Sequence, residues 1–167
     1  LGRSLIEMRD SLKQKSEEAR RYDWMTRGQN ALYDVLRGDK EEVELADDIV
    51  RFIAEYTGCK VGALYLANEG GNDLTLTGRY AMSSSRGVNI KRGEGLVGQV
   101  AADQKSFLLR DMPDENMTIS SSMIAFTPTH VLLTPFLYDG RTLGVIELGR
   151  LVPFDEETTS FVDSVIE

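Results

Sequence analysis

The stretch that most constrains the fold is Leu132–Arg150, LLTPFLYDGRTLGVIELGR. Asp139-Gly140 stands between two apolar runs, which signals a two-residue hairpin with a type I′ turn. Such a turn pairs Tyr138 with Arg141, Phe136 with Leu143, Thr134 with Val145 and Leu132 with Glu147, and puts those residues on one face. Leu133, Pro135 and Leu137 then share the other face with Thr142, Gly144 and Ile146. Both faces are mainly apolar, so both need cover and the hairpin belongs inside a layered domain. Pro135 has no N–H to donate, so one flank of its strand must be unpaired or bulged.

The elements around the hairpin follow from periodicity. Residues 1–37 read as one long helix with a heptad seam through Leu5, Met8, Leu12, Lys15, Ala19, Tyr22 and Thr26, apolar at first and weaker later. Its other faces are charged, as in a helix that associates with a second helix. Gly38 breaks it, and Asp39 is placed to cap the next helix. Leu45, Ile49, Phe52, Ile53 and Tyr56 form the apolar stripe of that second helix, which runs to Thr57 and ends at Gly58. CKVGALYLA is a strand, EGGN a turn and DLTLTGRYAM the returning strand. SSSRGVNIKRGEG is a polar connection, GLVGQVAADQ a short helix and SFLLRD a third strand. MPDENMTISSSMIAFTPT is a long irregular segment, of the kind that usually carries function. After the hairpin, Asp155 caps a final helix whose apolar side holds Phe161, Val162, Val165 and Ile166.

This order predicts an α+β fold. An antiparallel sheet carries the terminal helices on one face. The short helix and the long loop cover the other and enclose a cavity.

Charge and chemistry narrow the function. The 167-residue chain is 41% hydrophobic, enough for one core, and its formal charge of −8 comes without a clustered basic face, so nucleic acid is not an expected partner. No apolar run is long enough to span a bilayer, and no leader pattern opens the chain. The start at Leu1 and the finish in SFVDSVIE read as cuts through something longer. Cys59, the single cysteine, forms no internal disulfide and no Cys-rich metal site. His130 is the only histidine and reads as a residue at a strand start, so no metal site is expected. KRGEGLVG lacks both the phosphate-loop and the dinucleotide-binding spacing, and its glycines suit a tight turn and close helix packing. The acidic pairs Glu41-Glu42 and Asp47-Asp48 and the run Asp155-Glu156-Glu157 fall at helix starts or exposed faces and look like capping features rather than acid/base dyads. No catalytic residue is assigned. Met82, Met112, Met117 and Met123 fall near a strand end or in the long loop, where thioethers suit either a ligand lid or ordinary loop packing.

ADDIVRFIAEYTGCKVGALYLA, GEGLVGQVAADQKSFLLRDMP, LLTPFLYDGRTLGVIELG and FDEETTSFVDSV, in that order and spacing, resemble a GAF domain over residues 28–167. LGRSLIEMRDSL resembles the end of a HAMP module, so residues 1–27 read as a signalling helix. The segment from Glu115 to Gly149 is similar to GAF domains of membrane-bound bacterial hybrid histidine kinases. The resemblance implies a GAF-like sheet of five strands in the order 2-1-5-4-3. It also implies a cytoplasmic sensory, relay and dimerisation module of an inner-membrane sensor, feeding a kinase or another output such as a diguanylate cyclase. The expected partners are a second copy, through the N- and C-terminal helices (Leu5, Met8, Leu12, Ala19 and Tyr22 on the first), and that downstream domain. The fragment itself is expected to make no membrane contact. The implied ligand cavity lies between the sheet and residues 83–98 and 111–127. Its candidate walls are Tyr80, Met82, Leu96, Leu109, Met123, Thr134, Phe136 and Glu147, with Phe136 and Glu147 on one side of the sheet. No cofactor is predicted, and a small ligand of unknown identity is expected if the site is used.

Departures from the family pattern exclude some of its chemistry. Cys59 lies where the first strand begins, not where bilin-binding relatives attach their pigment. Phe154, Asp155 and Glu156 occur without the Asn and Lys that complete the cyclic-nucleotide signature. His130 is misplaced for a haem ligand. An enzyme of the free-methionine-sulfoxide-reductase type needs several reactive cysteines. The alternative to a sensor is a ligand-free structural spacer that serves dimerisation alone.

Overall fold

The long N-terminal helix, α1, spans Gly2–Val35. It and the rest of the chain are described here from a computed structural model that covers residues 1–82, 85–110 and 128–167. Gly38, at φ +102°, turns the chain back into α2, Glu42–Tyr56, which lies against α1. Glu41, not the expected Asp39, takes the cap position of α2, and no side chain caps it. The turn is held instead by Lys40, whose Nζ donates to the Val35 carbonyl at 3.0 Å and to Asp48 at 2.8 Å.

The buried face of α2 also differs from the expected stripe. Ala46, Val50, Ile53 and Ala54 are buried, while Leu45, Ile49, Phe52 and Tyr56 are half-buried. Small residues let α2 lie close on the strands, and the larger ones turn toward α1 and the end of the domain.

Six antiparallel strands form one sheet: β1 Val61–Ala67, β2 Asp73–Tyr80, β3 Asn89–Lys91, β4 Phe107–Leu109, β5 His130–Tyr138 and β6 Arg141–Arg150. Their order is β3-β2-β1-β6-β5-β4. The expected five-stranded sheet is therefore corrected to six, because the polar connection before the short helix contributes β3 as an edge strand on β2. Three residues with a single apolar one, Ile90, are too short to carry a strand signal of their own; pairing with β2 makes them a strand.

Helix α3, Gly95–Asp103, packs on one face of the sheet over Ala63, Tyr65, Leu74, Leu76, Val131, Leu133 and Val145. On the other face α1, α2 and α4, Glu156–Val165, cover Leu64, Leu132, Ile146 and Leu148. Asp155 caps α4, accepting from the Thr158 amide at 2.9 Å.

The hairpin register departs from expectation. Asp139 and Gly140 both have positive φ, and Tyr138 pairs with Arg141. Leu143, however, is an extra residue on β6: Leu137 faces Thr142 and Phe136 faces Gly144, so Leu132 pairs with Leu148 and Leu133 with Glu147. A one-residue slip moves every later side chain to the opposite face. Gly144 decides it. A Cβ there would stand 2.7 Å from one ring atom of Phe136, and closer still to another and to the Tyr65 carbonyl oxygen. Only glycine lets the Phe136 ring and strand β1 approach this point together. Beyond Leu133, which pairs with Phe107, β5 has no outer partner among the described residues, the unpaired flank that Pro135 requires.

Candidate functional site

The slip separates residues that the hairpin pattern had grouped. Met82, Leu96 and Leu109 pack on the α3 side of the sheet. Glu147, paired with Ala63 and Leu133, faces the same way and is 1% exposed. It is the one charged side chain among the described buried residues of that face. Tyr80 and Phe136 pack on the opposite, helical side. Thr134, paired with Ile146, also points there. The expectation that Phe136 and Glu147 share one cavity wall is thus overturned by the extra residue at Leu143. Met123, with Met112, Met117 and the segment 111–127 that would close the α3 side, lies outside the described residues. The α3-side core is filled by Tyr65, Leu74, Leu76, Leu133 and Val145, each almost fully buried.

The helical face carries a joint that hairpin-centred reasoning missed. Trp24 of α1 stacks on Tyr56 of α2, with ring centroids 4.9 Å apart, and meets Phe161 of α4 at 5.1 Å. Tyr56 in turn stacks on Phe52 and tilts against Phe161. The Tyr56 hydroxyl donates to the Trp24 carbonyl, closing the box through the backbone. Gly28 sits inside it, its Cα facing the rings of Tyr56 and Phe161. The signal was present: the only tryptophan falls four residues before a glycine in a helix, which marks a close helix contact.

α1 and α4 run side by side in the same direction. Arg20 pairs with Glu157 at 3.2 Å near the start of α4, and Gln29 donates to Ser164 at 3.1 Å near its end. Upstream of the joint, residues 1–23 are exposed throughout, about 35 Å of helix at 1.5 Å per residue. Leu5, Met8 and Leu12 are about 60% exposed and Tyr22 75%; Ala19 is exposed as well. The same seven-residue repeat reaches Tyr33, also exposed, on the side of α1 away from Gly28 and Leu32.

Two ionic knots brace this frame. Asp47 of α2 accepts from the Arg79 amide at 2.8 Å and pairs with Arg86, which also donates to the Thr77 carbonyl at 2.8 Å. Burial pushes the Asp47 carboxyl up, but the bonds from Arg86 and Arg79 outweigh it and hold it below the usual carboxylate range. Arg150 at the end of β6 donates to the carbonyls of Thr57 (2.7 Å), Val152 (3.2 Å) and Pro153, and lies over the Phe154 ring at 4.3 Å. It ties the end of α2 to the connection into α4.

Nucleophile and ligand chemistry is sparse. Cys59 is buried beside Thr57, and burial pushes its thiol up, away from the reactive thiolate. His130 opens β5, buried, with Nδ1 at 2.9 Å from Thr129 Oγ1. Among the described residues no three His, Cys, Asp or Glu side chains gather as metal ligands, and no helix is long and apolar enough to cross a membrane.

The comparisons with known proteins agree with this architecture. A family described as GAF domain matches residues 39–167. Among solved structures, the GAF domain of an Acinetobacter phosphoenolpyruvate-protein phosphotransferase superposes with a TM-score of 0.70 at 20% identity, over 85% of this chain and 87% of that one. The A. Aeolicus nlh2 GAF domain in an inactive state gives 0.70 at 18% identity, over 87% and 90%. A free methionine-R-sulfoxide reductase from Neisseria meningitidis, in complex with its substrate, gives 0.64 at 18% identity, over 90% and 86%. At such identities the likeness is one of fold. No curated relative matches the chain in sequence.

Proposed function

The chain belongs to the GAF domain family, a family of sensory and regulatory modules, and on that premise we propose that it is the signal-relay and dimerisation module of a bacterial two-component sensor. In this reading residues 1–27 are a signalling helix that follows a HAMP-like relay in a membrane-bound parent, and residues 28–167 are the sensory module. The observation that carries it is the parallel contact of α1 and α4 around Trp24, Tyr56 and Phe161. A turn or shift of α1 presses on this box, and α4, lying in the same direction on the same sheet face, takes up the displacement and hands it to the output domain. A ligand on the α3 face, held by Glu147 with Met82, Leu96 and Leu109, biases the same packing only through unequal affinity for its two states.

Dimerisation belongs to the same mechanism. More than twenty residues of α1 are exposed, and in proteins most helical stability comes from packing of an amphipathic face. A second copy covering Leu5, Met8, Leu12, Ala19 and Tyr22 supplies the missing contacts. Lys15 and Thr26 weaken the seam and leave it able to rearrange. Replacing both with Leu adds two leucines per chain, each stabilising by about 1.5–3 kcal/mol when buried. Sedimentation equilibrium then shows a dimer at least tenfold tighter than the parent chain's. A monomer before and after the double substitution would defeat the dimer reading.

A ligand-free spacer is the second reading, favoured by the filled α3-side core around Tyr65 and Leu133. An enzymatic reading has less support, because the one cysteine is buried with its thiol pushed up.

A further inference from the structure

The described residues hold one buried threonine hydroxyl without a partner. Thr134 is 2% exposed, and its Oγ1 makes no hydrogen bond. It lines a cleft of about 300 Å³ at the open edge of β5, where β4 has ended, with Ser106, Pro135 and Leu137 on the sheet side, Asp163 from the last turn of α4, and Ile166 and Glu167 just beyond it. A buried hydroxyl left unbonded is costly, so natural structures seldom tolerate one without a use for it.

The cleft's charge is one-sided. Asp163 and Glu167 line it, and among the described residues no Lys or Arg does. Among the described residues Asp163 has no ion-pair partner, and partial burial together with the charge of Glu167 raises its carboxyl above the usual range. These carboxylates therefore lack a cation in a chain that is already strongly acidic. Pro135, Leu137 and Ile166 add apolar flanks beside them.

We propose that this cleft binds a small organic cation, a primary amine carrying a short apolar body, between Thr134 on the sheet and Asp163 on α4. The ammonium donates to the orphaned Thr134 oxygen and to the Asp163 carboxylate, a charge-assisted bond on one side and a neutral one on the other. The alkyl body lies along Pro135, Leu137 and Ile166. An anion is repelled by the carboxylates, and a neutral alcohol satisfies Thr134 but not the charge of Asp163. The site lies at the open edge of β5, with Thr134 turned to the helical side of the sheet and Pro135 to the other. Its existence does not depend on the relay reading; only its consequence does, since an amine held there fastens the last turn of α4 to β5.

The test is an NMR titration of the chain with n-butylammonium chloride, n-butanol and sodium n-butyrate at constant ionic strength. Expected are shifts confined to the Ser106, Thr134 and Asp163 region, with the amine binding about tenfold tighter than the alcohol, the worth of one charge-assisted bond, and the butyrate not binding. Asp163→Asn brings the amine down to the level of the alcohol. Thr134→Val, which keeps the side chain's shape, weakens the amine several-fold in a chain that still folds. Equal binding of all three probes, shifts spread over the acidic surface, or amine affinity unchanged in both variants overturns the proposal. Failure of the relay reading is read separately, from Gly28→Ala in the aromatic box, and leaves the site standing.

Discussion

Gly28→Ala tests whether α1 is locked to the domain by the aromatic box. An added Cβ would lie within 2.8 Å of three ring atoms, one on Tyr56 and two on Phe161. Ordinary carbon contacts need about 3.5–4.0 Å, so one or both rings must retreat by roughly 1 Å. Neither ring is free to move: Phe161 is fully buried, and Tyr56 is held between Trp24 and Phe52. Overpacking of this kind costs about 1–3 kcal/mol, and the upper half applies where two constrained rings are hit. Against it stands the helix preference for Ala over Gly, about 1 kcal/mol. The net expectation is a destabilisation of about 1–2 kcal/mol, or a melting temperature lower by about 2–8 °C for a domain of this size. The assay is urea unfolding followed by the fluorescence of Trp24, the only tryptophan, which sits in the box itself. Gly2→Ala in the same helix is the control, because nothing lies within 4 Å of its added Cβ. If Gly28→Ala is as stable as the parent, with Trp24 emission unmoved, the box is not a tight joint and the relay built on it fails.

Other substitutions probe the frame and the cleft. Arg150→Ala leaves the buried Thr57 carbonyl without its partner and removes the bonds to the exposed Val152 and Pro153 carbonyls, and should cost about 1–3 kcal/mol by denaturant unfolding. Thr134→Val removes an unpartnered buried hydroxyl and should raise stability by about 1 kcal/mol, read as a higher melting temperature with no ligand present. Asp155 is held below the usual carboxylate range, first by its bond with Thr158 and against some burial, so its share of stability is present above the unfolded value near pH 4 and is lost as pH falls through the folded value. Asp155→Asn keeps a good cap but cannot titrate, so pH-dependent unfolding below about pH 4 should be shallower in the variant. An acid limb of unchanged slope would remove Asp155 as a contributor.

Much of the fold was legible because local rules and burial agree along most of the chain. The Asp139-Gly140 turn, the helix ends at Gly38 and Gly58, the Asp155 cap and the pairs of apolar strands each carry their own residue signal, and the structure places each of them. The candidate site was legible only by parts. Met82, Leu96, Leu109 and Glu147 gather on one face, but Tyr80, Thr134 and Phe136 do not join them. The alternation of a strand says which residues share a face only if the register holds. Here a glycine in an apolar strand, itself a warning of a bulge, was read as an ordinary position.

The amino-acid sequence by itself determined an antiparallel sheet covered on both sides, a long helix with a solvent-facing seam, and the scarcity of catalytic groups. These depend on residue type, spacing and turn chemistry, which act over a few neighbours. Tertiary structure alone decided which side of the sheet Phe136 and Glu147 occupy, that Asn89–Lys91 becomes an edge strand, that Trp24 and Phe161, 137 residues apart, close one box, and that a threonine ends up buried without a partner. Those outcomes depend on which atoms meet across the core, where the missing side chain at Gly144 permits a register that a Cβ there would block.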